Sequence, residues 1–283
     1  MEADVGFIGR AGYQFGYTLE GQGRPALVIG SALYYPKTFS DNLKQHLRFA
    51  FIDHRGFAQI ETADPEAICS LDEVLDDIEF LRQELKLGTV VVIGHSAHAL
   101  MAIEYAKKFP QHVSHVVMIA AAPSYSEENQ RLIEQHFADV VCPKRKEWLY
   151  RRTTQYQKDL TESPERRFIT HCLALGPRSW YDYRFDATPL WQGVTVNMPI
   201  MDHLWGNVFR EIDISQGLED LYLPVFIALG LHDFLVPPHF TWHPVRSKFQ
   251  RLNFKIYQRS SHAPQMEDEE AFDEELLVWL LVP

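Results

Sequence analysis

The stretch that most limits what this chain can fold into is Thr89 to Leu100, TVVVIGHSAHAL. Val90, Val91, Val92 and Ile93 are apolar and β-branched, which predicts a short buried strand ended by Gly94. His95-Ser96-Ala97 then turns the chain, and Ala99 to Ala106 are good helix formers. A serine on the corner between a buried strand and a helix has its hydroxyl pushed out at the sheet's end. The first free N–H groups of the helix then face whatever it attacks. That is the geometry of a nucleophile elbow. A strict G-x-S-x-G would end in glycine, whereas the fifth position here is His98. An ordinary strand-to-helix turn that holds a serine is the competing reading.

The neighbouring sequence repeats the alternation of strand and helix. Gly6 to Glu20 alternates Tyr13, Phe15 and Tyr17 with small or polar residues, as a half-buried antiparallel hairpin does. Ala26 to Gly30 is a fully apolar strand followed by the loop Gly30-Ser31-Ala32-Leu33, and Phe49 to Asp53 is another, ended by His54-Arg55-Gly56-Phe57. Ser70-Leu71-Asp72-Glu73 reads as a capping box. It opens a helix whose apolar residues, Leu71, Val74, Leu75, Ile78, Leu81 and Leu85, keep the 3.6-residue period, with Gly88 as its expected stop. Past the elbow helix, Val113 to Ala121 is a further strand. The pattern predicts an α/β fold with a mostly parallel central sheet covered on both faces.

The pattern then stops. From Ser124 to Leu221 there is no comparable β run; Leu149, Thr153, Tyr156 and Leu160 have helical spacing, and Pro143, Pro164, Pro177, Pro189 and Pro199 read as breaks. Strands resume at Pro224 to Gly230 and Phe254 to Ser260, with a last helix over Glu267 to Leu281. The expected organisation is a core of residues 1–123 and 222–283 with a helical cap subdomain, 124–221, over the sheet's end.

A chain of 283 residues, 46% hydrophobic, can bury a large core of this kind. No window approaches the roughly 18 consecutive apolar residues of a membrane span. The acidic N-terminus MEADVGFIGR does not read as a signal peptide. Cys69, Cys142 and Cys172 are odd in number and lack CxxC spacing, so free thiols and a cytoplasmic location are expected. A net charge of −11 argues against nucleic acid as the partner, and no membrane partner is expected. The run Lys144 to Arg152 reads as a solvated helix face. His95 and His98, His112 and His115, and His239 and His243 have pair spacing without HExxH or a third ligand, so no metal is expected.

A serine nucleophile needs a base to take its proton and a carboxylate to orient that base. In an open parallel sheet both belong on loops beyond the carboxyl ends of later strands. Asp233 follows the strand PVFIALG and His262 follows FKIYQRSS. A capping Asp or a loop His is the ordinary reading of either alone, but their joint placement, in the order Ser…Asp…His, points to Ser96 as nucleophile, Asp233 as orienting acid and His262 as base.

Four segments carry a resemblance to a known family: DHRGF at 53–57, GHS at 94–96, LGLHDFLVP at 229–237 and SSHAPQMED at 260–268. The chain resembles the α/β-hydrolase superfamily along most of its length, in the capped branch that includes small esterases and proline iminopeptidase-like proteins. The resemblance implies an oxyanion hole of two backbone N–H groups, from Ala97 and, in the loop where Gly30-Ser31 replaces the family's His-Gly, from Ala32. Such donors are worth about 3 kcal/mol of barrier each.

His98 stands where the family has a small residue. It is read first as a packed, hydrogen-bonded imidazole, the alternative being a base that competes with His262. The insertion holds Trp148, Trp180, Trp191 and Trp205, four of the six tryptophans. These pack the cap onto the core or line an apolar pocket, for which Leu33, His95 and Trp205 are named as lining. Asp202, Glu211 and Asp213 are the acids available to an iminopeptidase. The expected function is cofactor-free acyl transfer to water on a small-molecule ester, lactone or amide, esterase ahead of peptidase, by a monomer or homodimer. C–C hydrolysis or perhydrolysis on the same residues, and a ligand receptor with little turnover, remain as alternatives.

Overall fold

A computed structural model describes residues 3–281; Met1 and Glu2 of the N-terminal stretch, and Val282 and Pro283, lie outside the described residues. β1 (Asp4–Arg10) and β2 (Tyr13–Gly21) pair antiparallel through a turn at Ala11-Gly12, where both residues have positive φ. Then come β3 (Arg24–Gly30), a short α1 (Asp41–Lys44), β4 (Leu47–Asp53), the two-residue β5 (Gln59–Ile60), α2 (Leu71–Glu84), β6 (Val90–His95), α3 (Ala97–Lys108) and β7 (Val113–Ile119). The next stretch holds α4 (Glu127–Val140), α5 (Pro143–Glu162), α6 (Arg167–Ala174), α7 (Gly176–Ser179), α8 (Met198–His203), a π-helical turn (Leu204–Val208) and α9 (Phe209–Glu211). The chain closes with β8 (Val225–Gly230), β9 (Leu252–Tyr257), α10 (Pro264–Glu267) and α11 (Glu269–Leu280).

The strands make one sheet in the order β1-β2-β4-β3-β6-β7-β8-β9, with β5 beside β2, antiparallel up to the β2/β4 pair and parallel from β4 onward. Because successive side chains on a strand point to opposite faces, each central strand feeds two cores. Val90, Val92, Val116 and Met118 join α2 and α3 on one face; Val91, Ile93, Val117 and Ile119 join Phe272, Leu276 and Leu280 of α11 on the other. That division explains why these strands read as unbroken apolar runs.

Local signals decide the element ends. Ser70 Oγ accepts from Glu73 N–H and Glu73 Oε2 accepts from Ser70 N–H, so the capping box is formed, a contribution of about 1 kcal/mol. The C-terminal stop differs from expectation. The left-handed residue after Leu85 is Lys86, φ +52, and Leu87 N–H reaches back to Arg82 C=O at 3.1 Å in a Schellman turn. Gly88, φ +67, comes two residues later. β6 likewise runs through Gly94 to His95, and the expected last helix is two pieces, α10 and α11. The five prolines read as breaks all lie in the first turn of a helical segment, where the missing N–H costs nothing.

The strand order reverses at β3, with β4 on one side and β6 on the other. The loops after all three emerge at this switch point, the crevice where open α/β sheets bind ligands. No helix among the described residues is long and apolar enough to cross a membrane.

Candidate active site

Ser96 sits between β6 and α3 with φ 58 and ψ −131, a backbone conformation that a non-glycine residue holds only under constraint. The constraint comes from both sides. Ser96 N–H donates to Ile119 C=O at 2.8 Å, while α3 passes so close to β6 that a Cβ on Gly94 would fall 2.1 Å from the His98 carbonyl oxygen. Glycine is therefore required at 94, although the strict motif is broken at 98.

Ser96, Ala97 and His262 line one cavity of about 660 Å³. His262 Nδ1 donates to Asp233 Oδ2 at 2.7 Å, both residues being buried. Asp233 Oδ1 accepts from Leu235 N–H at 2.9 Å, which fixes the carboxylate. Among the described residues Ser96 Oγ has no hydrogen-bond partner, and the ring of His262 bonds to Asp233 alone. The main chain of His262 is held as well: its N–H donates to Ser179 C=O at 2.9 Å and its carbonyl accepts from His95 Nε2 at 2.6 Å.

Two of the expected site residues, Ala32 and Leu33, do not line this cavity. The register sets Gly30 beside Asp53, so the Asp53 carboxylate lies against the loop after β3. Ala32 N–H donates to Asp53 Oδ1 at 2.8 Å and Gly16 N–H donates to Oδ2 at 3.1 Å. The Ala32 N–H is thus occupied by a buried carboxyl group, and Ala32 is not among the residues that line the cavity. Burial pushes the Asp53 carboxyl up to about 7, against the lowering effect of those two N–H groups. Leu33, expected in the pocket, is 44% exposed and lies near Gly193 on the outside. Ser31, between Gly30 and Ala32, does line the cavity.

His95 and Trp205 line the cavity, Trp205 carried by the π-helical turn. So does His98, but both its ring nitrogens are engaged, Nδ1 with Tyr35 Oη at 2.8 Å and Nε2 with His54 Nε2 at 3.1 Å. Burial, with His54 and His95 close by, holds it well below the usual histidine range. It has no free lone pair with which to compete as a base. Trp180, Trp191, Phe168 and Phe209 add aromatic surface to a lining that also holds Ile133, Leu149, Leu175 and Val236. Of the acids, Glu134 lines the cavity but both its oxygens are bound by Arg178, at 2.7 and 2.6 Å. Asp202 pairs with Arg167 and Asp213 accepts from Ser215 N–H; neither lines the cavity, nor does Glu211.

The stretch between β7 and β8 is stitched into the same loops. Arg178 C=O accepts from Phe234 N–H at 3.1 Å, and Glu267 accepts from Tyr181, Ser261 and Ala263 N–H. Arg145, within the run read as a solvated face, is buried and donates to the carbonyls of Pro177, Trp180 and Tyr181. Sequence reading missed Tyr35, His54, Ser179 and Glu267 as parts of this assembly. Only His54, in DHRGF, and Glu267, in SSHAPQMED, lay in segments already marked as informative.

Residues 22–269 match the alpha/beta hydrolase fold family. The chain belongs to that family. It is 42% identical over 269 residues to the AB hydrolase superfamily protein YclE of Bacillus subtilis (strain 168), covering 95% of this chain and 96% of that protein. It is 24% identical over 249 residues to the proline iminopeptidase PfmaB of Pestalotiopsis fici (strain W106-1 / CGMCC3.15140), covering 83% and 84%. Among solved structures, an alpha/beta fold family hydrolase from Bacillus anthracis str. Sterne superposes with a TM-score of 0.71 at 20% identity, over 98% and 99% of the two chains. The esterase EaEST from Exiguobacterium antarcticum superposes at 0.64 with 18% identity, over 96% and 98%. At these identities the structural likeness speaks for the fold, and the alpha/beta hydrolase core is the frame on which the site is built.

Proposed function

We propose that this alpha/beta hydrolase is a serine esterase for small, largely apolar acyl or aryl esters, with Ser96 as nucleophile, His262 as base and Asp233 as orienting acid. The observation that carries the reading is the 2.7 Å bond from His262 Nδ1 to Asp233 Oδ2, with the ring on the same cavity as a serine held at positive φ. A carboxylate on Nδ1 leaves Nε2 as the acceptor, the tautomer needed to take a hydroxyl proton.

The residues act in sequence. Substrate in the cavity brings Ser96 Oγ and the His262 ring into hydrogen-bond contact, a contact that commonly tightens only in the substrate complex. His262 takes the proton as Oγ attacks the carbonyl carbon. The resulting oxyanion receives the Ala97 N–H, free at the start of α3, and the Ser31 hydroxyl, since the Ala32 N–H is engaged with Asp53. His262 returns the proton to the leaving alcohol, then activates water to release the acid. Asp233 stays ionised and holds the ring. In this reading residues 124–221 act as a cap that roofs a core of 1–123 and 222–283, and their aromatic side chains choose the acyl group.

Esterase is preferred over aminopeptidase because an aminopeptidase must hold a free ammonium group. The one cavity carboxylate among the described residues, Glu134, is already paired with Arg178.

The test is to treat the protein with a fluorophosphonate, find the labelled peptide by mass spectrometry, and compare p-nitrophenyl esters of rising chain length with a proline arylamide. Label on Ser96 and ester turnover above the arylamide are expected. A folded protein that neither labels nor turns over would overturn the reading in favour of a ligand receptor.

A further inference from the structure

Beside Ser96 runs a line of buried polar groups that the proposed reaction leaves unused. His54 Nε2 lies 3.1 Å from His98 Nε2, His98 Nδ1 lies 2.8 Å from Tyr35 Oη, and Tyr35 Oη lies 3.2 Å from His95 Nδ1. His95 Nε2 lies 2.6 Å from the main-chain carbonyl oxygen of His262. At the far end, Gly56 N–H donates to His54 Nδ1 at 3.0 Å. All four side chains are buried, and Trp205 covers two of the rings, stacked on His54 at 6.0 Å and edge-on to His98 at 5.4 Å.

The direction of every bond follows from the ends. Burial pushes His54 and His95 down to about 3 and holds His98 well below its usual range, so each ring is neutral, with one N–H and one bare nitrogen. A carbonyl oxygen only accepts, so His95 carries its proton on Nε2 and accepts on Nδ1. Tyr35 must then donate to His95 and accept from His98 Nδ1–H, which leaves His98 Nε2 to accept from His54 Nε2–H. His54 Nδ1 is therefore bare. The other end gives the same answer independently, since a backbone N–H only donates and Gly56 requires a bare His54 Nδ1. The two derivations agree at each link, and no ring nitrogen is left over for a metal or for Ser96.

We propose that Tyr35, His54, His95 and His98 are positioning residues, a one-way hydrogen-bond chain that anchors the main chain of His262 and so sets where its ring meets Ser96. The proposal rests on the reading of His262 as the base. Asp233 holds the ring and Ser179 holds the N–H, and the chain adds a restraint on the carbonyl. It ties the loops that follow β3, β4 and β9 to the end of β6 and the first turn of α3, the place that His98 fills. A small residue there would open the line between His54 and Tyr35.

The test joins spectroscopy to kinetics. ¹⁵N-histidine NMR of the whole protein is expected to show His54 and His95 protonated on Nε2 and His98 on Nδ1. Tyr35→Phe removes the one oxygen that joins the two halves while keeping the ring. It is expected to release the His95 tautomer into a mixture and to lower kcat on a p-nitrophenyl ester about tenfold or more, with KM within about twofold. His95→Leu should do the same to kcat. His95→Gln, whose amide nitrogen can donate to the His262 carbonyl, should recover most of the rate, a rescue that loss of packing alone does not predict. His95 protonated on Nδ1 in the unsubstituted protein, or unchanged kcat in folded Tyr35→Phe and His95→Leu, overturns the proposal. A protein that never labels at Ser96 overturns the esterase reading and the positioning role with it. The tautomers are still read from the spectrum in that case, so the two failures are distinct.

Discussion

Ala32 N–H points at Asp53 Oδ1 from 2.8 Å, in the corner where β3 and β4 run side by side. In the proposed reaction a donor already bound to a buried carboxyl group is passed over for the adjacent Ser31, which is arranged differently. Its Oγ accepts from Leu33 and Tyr34 N–H, each at 3.3 Å, and the residue lines the cavity; in the proposed reaction its hydroxyl proton turns to the oxyanion.

Ser31→Ala is therefore expected to lower kcat about 10²-fold with little change in KM, the usual cost of one oxyanion donor. Ser31→Thr, which keeps a hydroxyl, should retain most of the rate. Steady-state kinetics on one p-nitrophenyl ester check both. An alanine variant as fast as the unsubstituted protein removes Ser31 from the site.

Asp53 makes stability depend on pH. Burial pushes its folded carboxyl up to about 7, above the ordinary aspartate value, so between about pH 4 and pH 7 the native state is expected to hold a proton that the unfolded chain has released. Stability from this group is fully present below that window and falls as pH rises through it. Asp53→Asn cannot titrate, and its amide NH₂ would face one of the two N–H donors, at a cost of about 1–3 kcal/mol. Urea midpoints at pH 5 and pH 8 should show the unsubstituted protein losing more stability on going to pH 8 than Asp53→Asn does. Equal losses would mean that Asp53 is ionised throughout.

The histidines should separate by role. His262→Ala is expected to abolish ester turnover and fluorophosphonate labelling, and Asp233→Asn to lower kcat about 10⁴-fold through the wrong tautomer. His98→Ala should still label at Ser96, because both its ring nitrogens are spent on Tyr35 and His54. Labelling lost in His98→Ala and kept in His262→Ala would exchange the two assignments.

The thiols give an independent reading of the packing. Burial pushes Cys69 up to about 11 and Cys172, on the cavity wall, up to about 12, while Cys142 is exposed. Iodoacetamide at pH 8 should modify Cys142 first and reach the others only on denaturation, as peptide mass spectrometry would show. Fast modification of Cys172 in the folded protein would mean that the cavity is more open than described.

What the sequence by itself determined is most of what depends on near neighbours, exact element ends such as the Lys86 stop aside. The β-branched run 90–93 makes a strand because both its faces meet apolar side chains, and Ser70 with Glu73 closes a helix end because the bonding atoms lie three residues apart. Gly94 permits the elbow because the close approach there comes from the helix that follows it directly. The placement of Ser96, Asp233 and His262 past strand ends was legible for a related reason: each follows a recognisable strand, and a parallel sheet gathers its strand ends at one edge. Tertiary structure alone decided which way the polar groups between those loops point. Ala32 is claimed by a carboxylate 21 residues on, and the His262 carbonyl by a histidine 167 residues back. No local pattern records such a choice, because a hydrogen bond is assigned by what burial brings within 3 Å and forbids to remain unpaired.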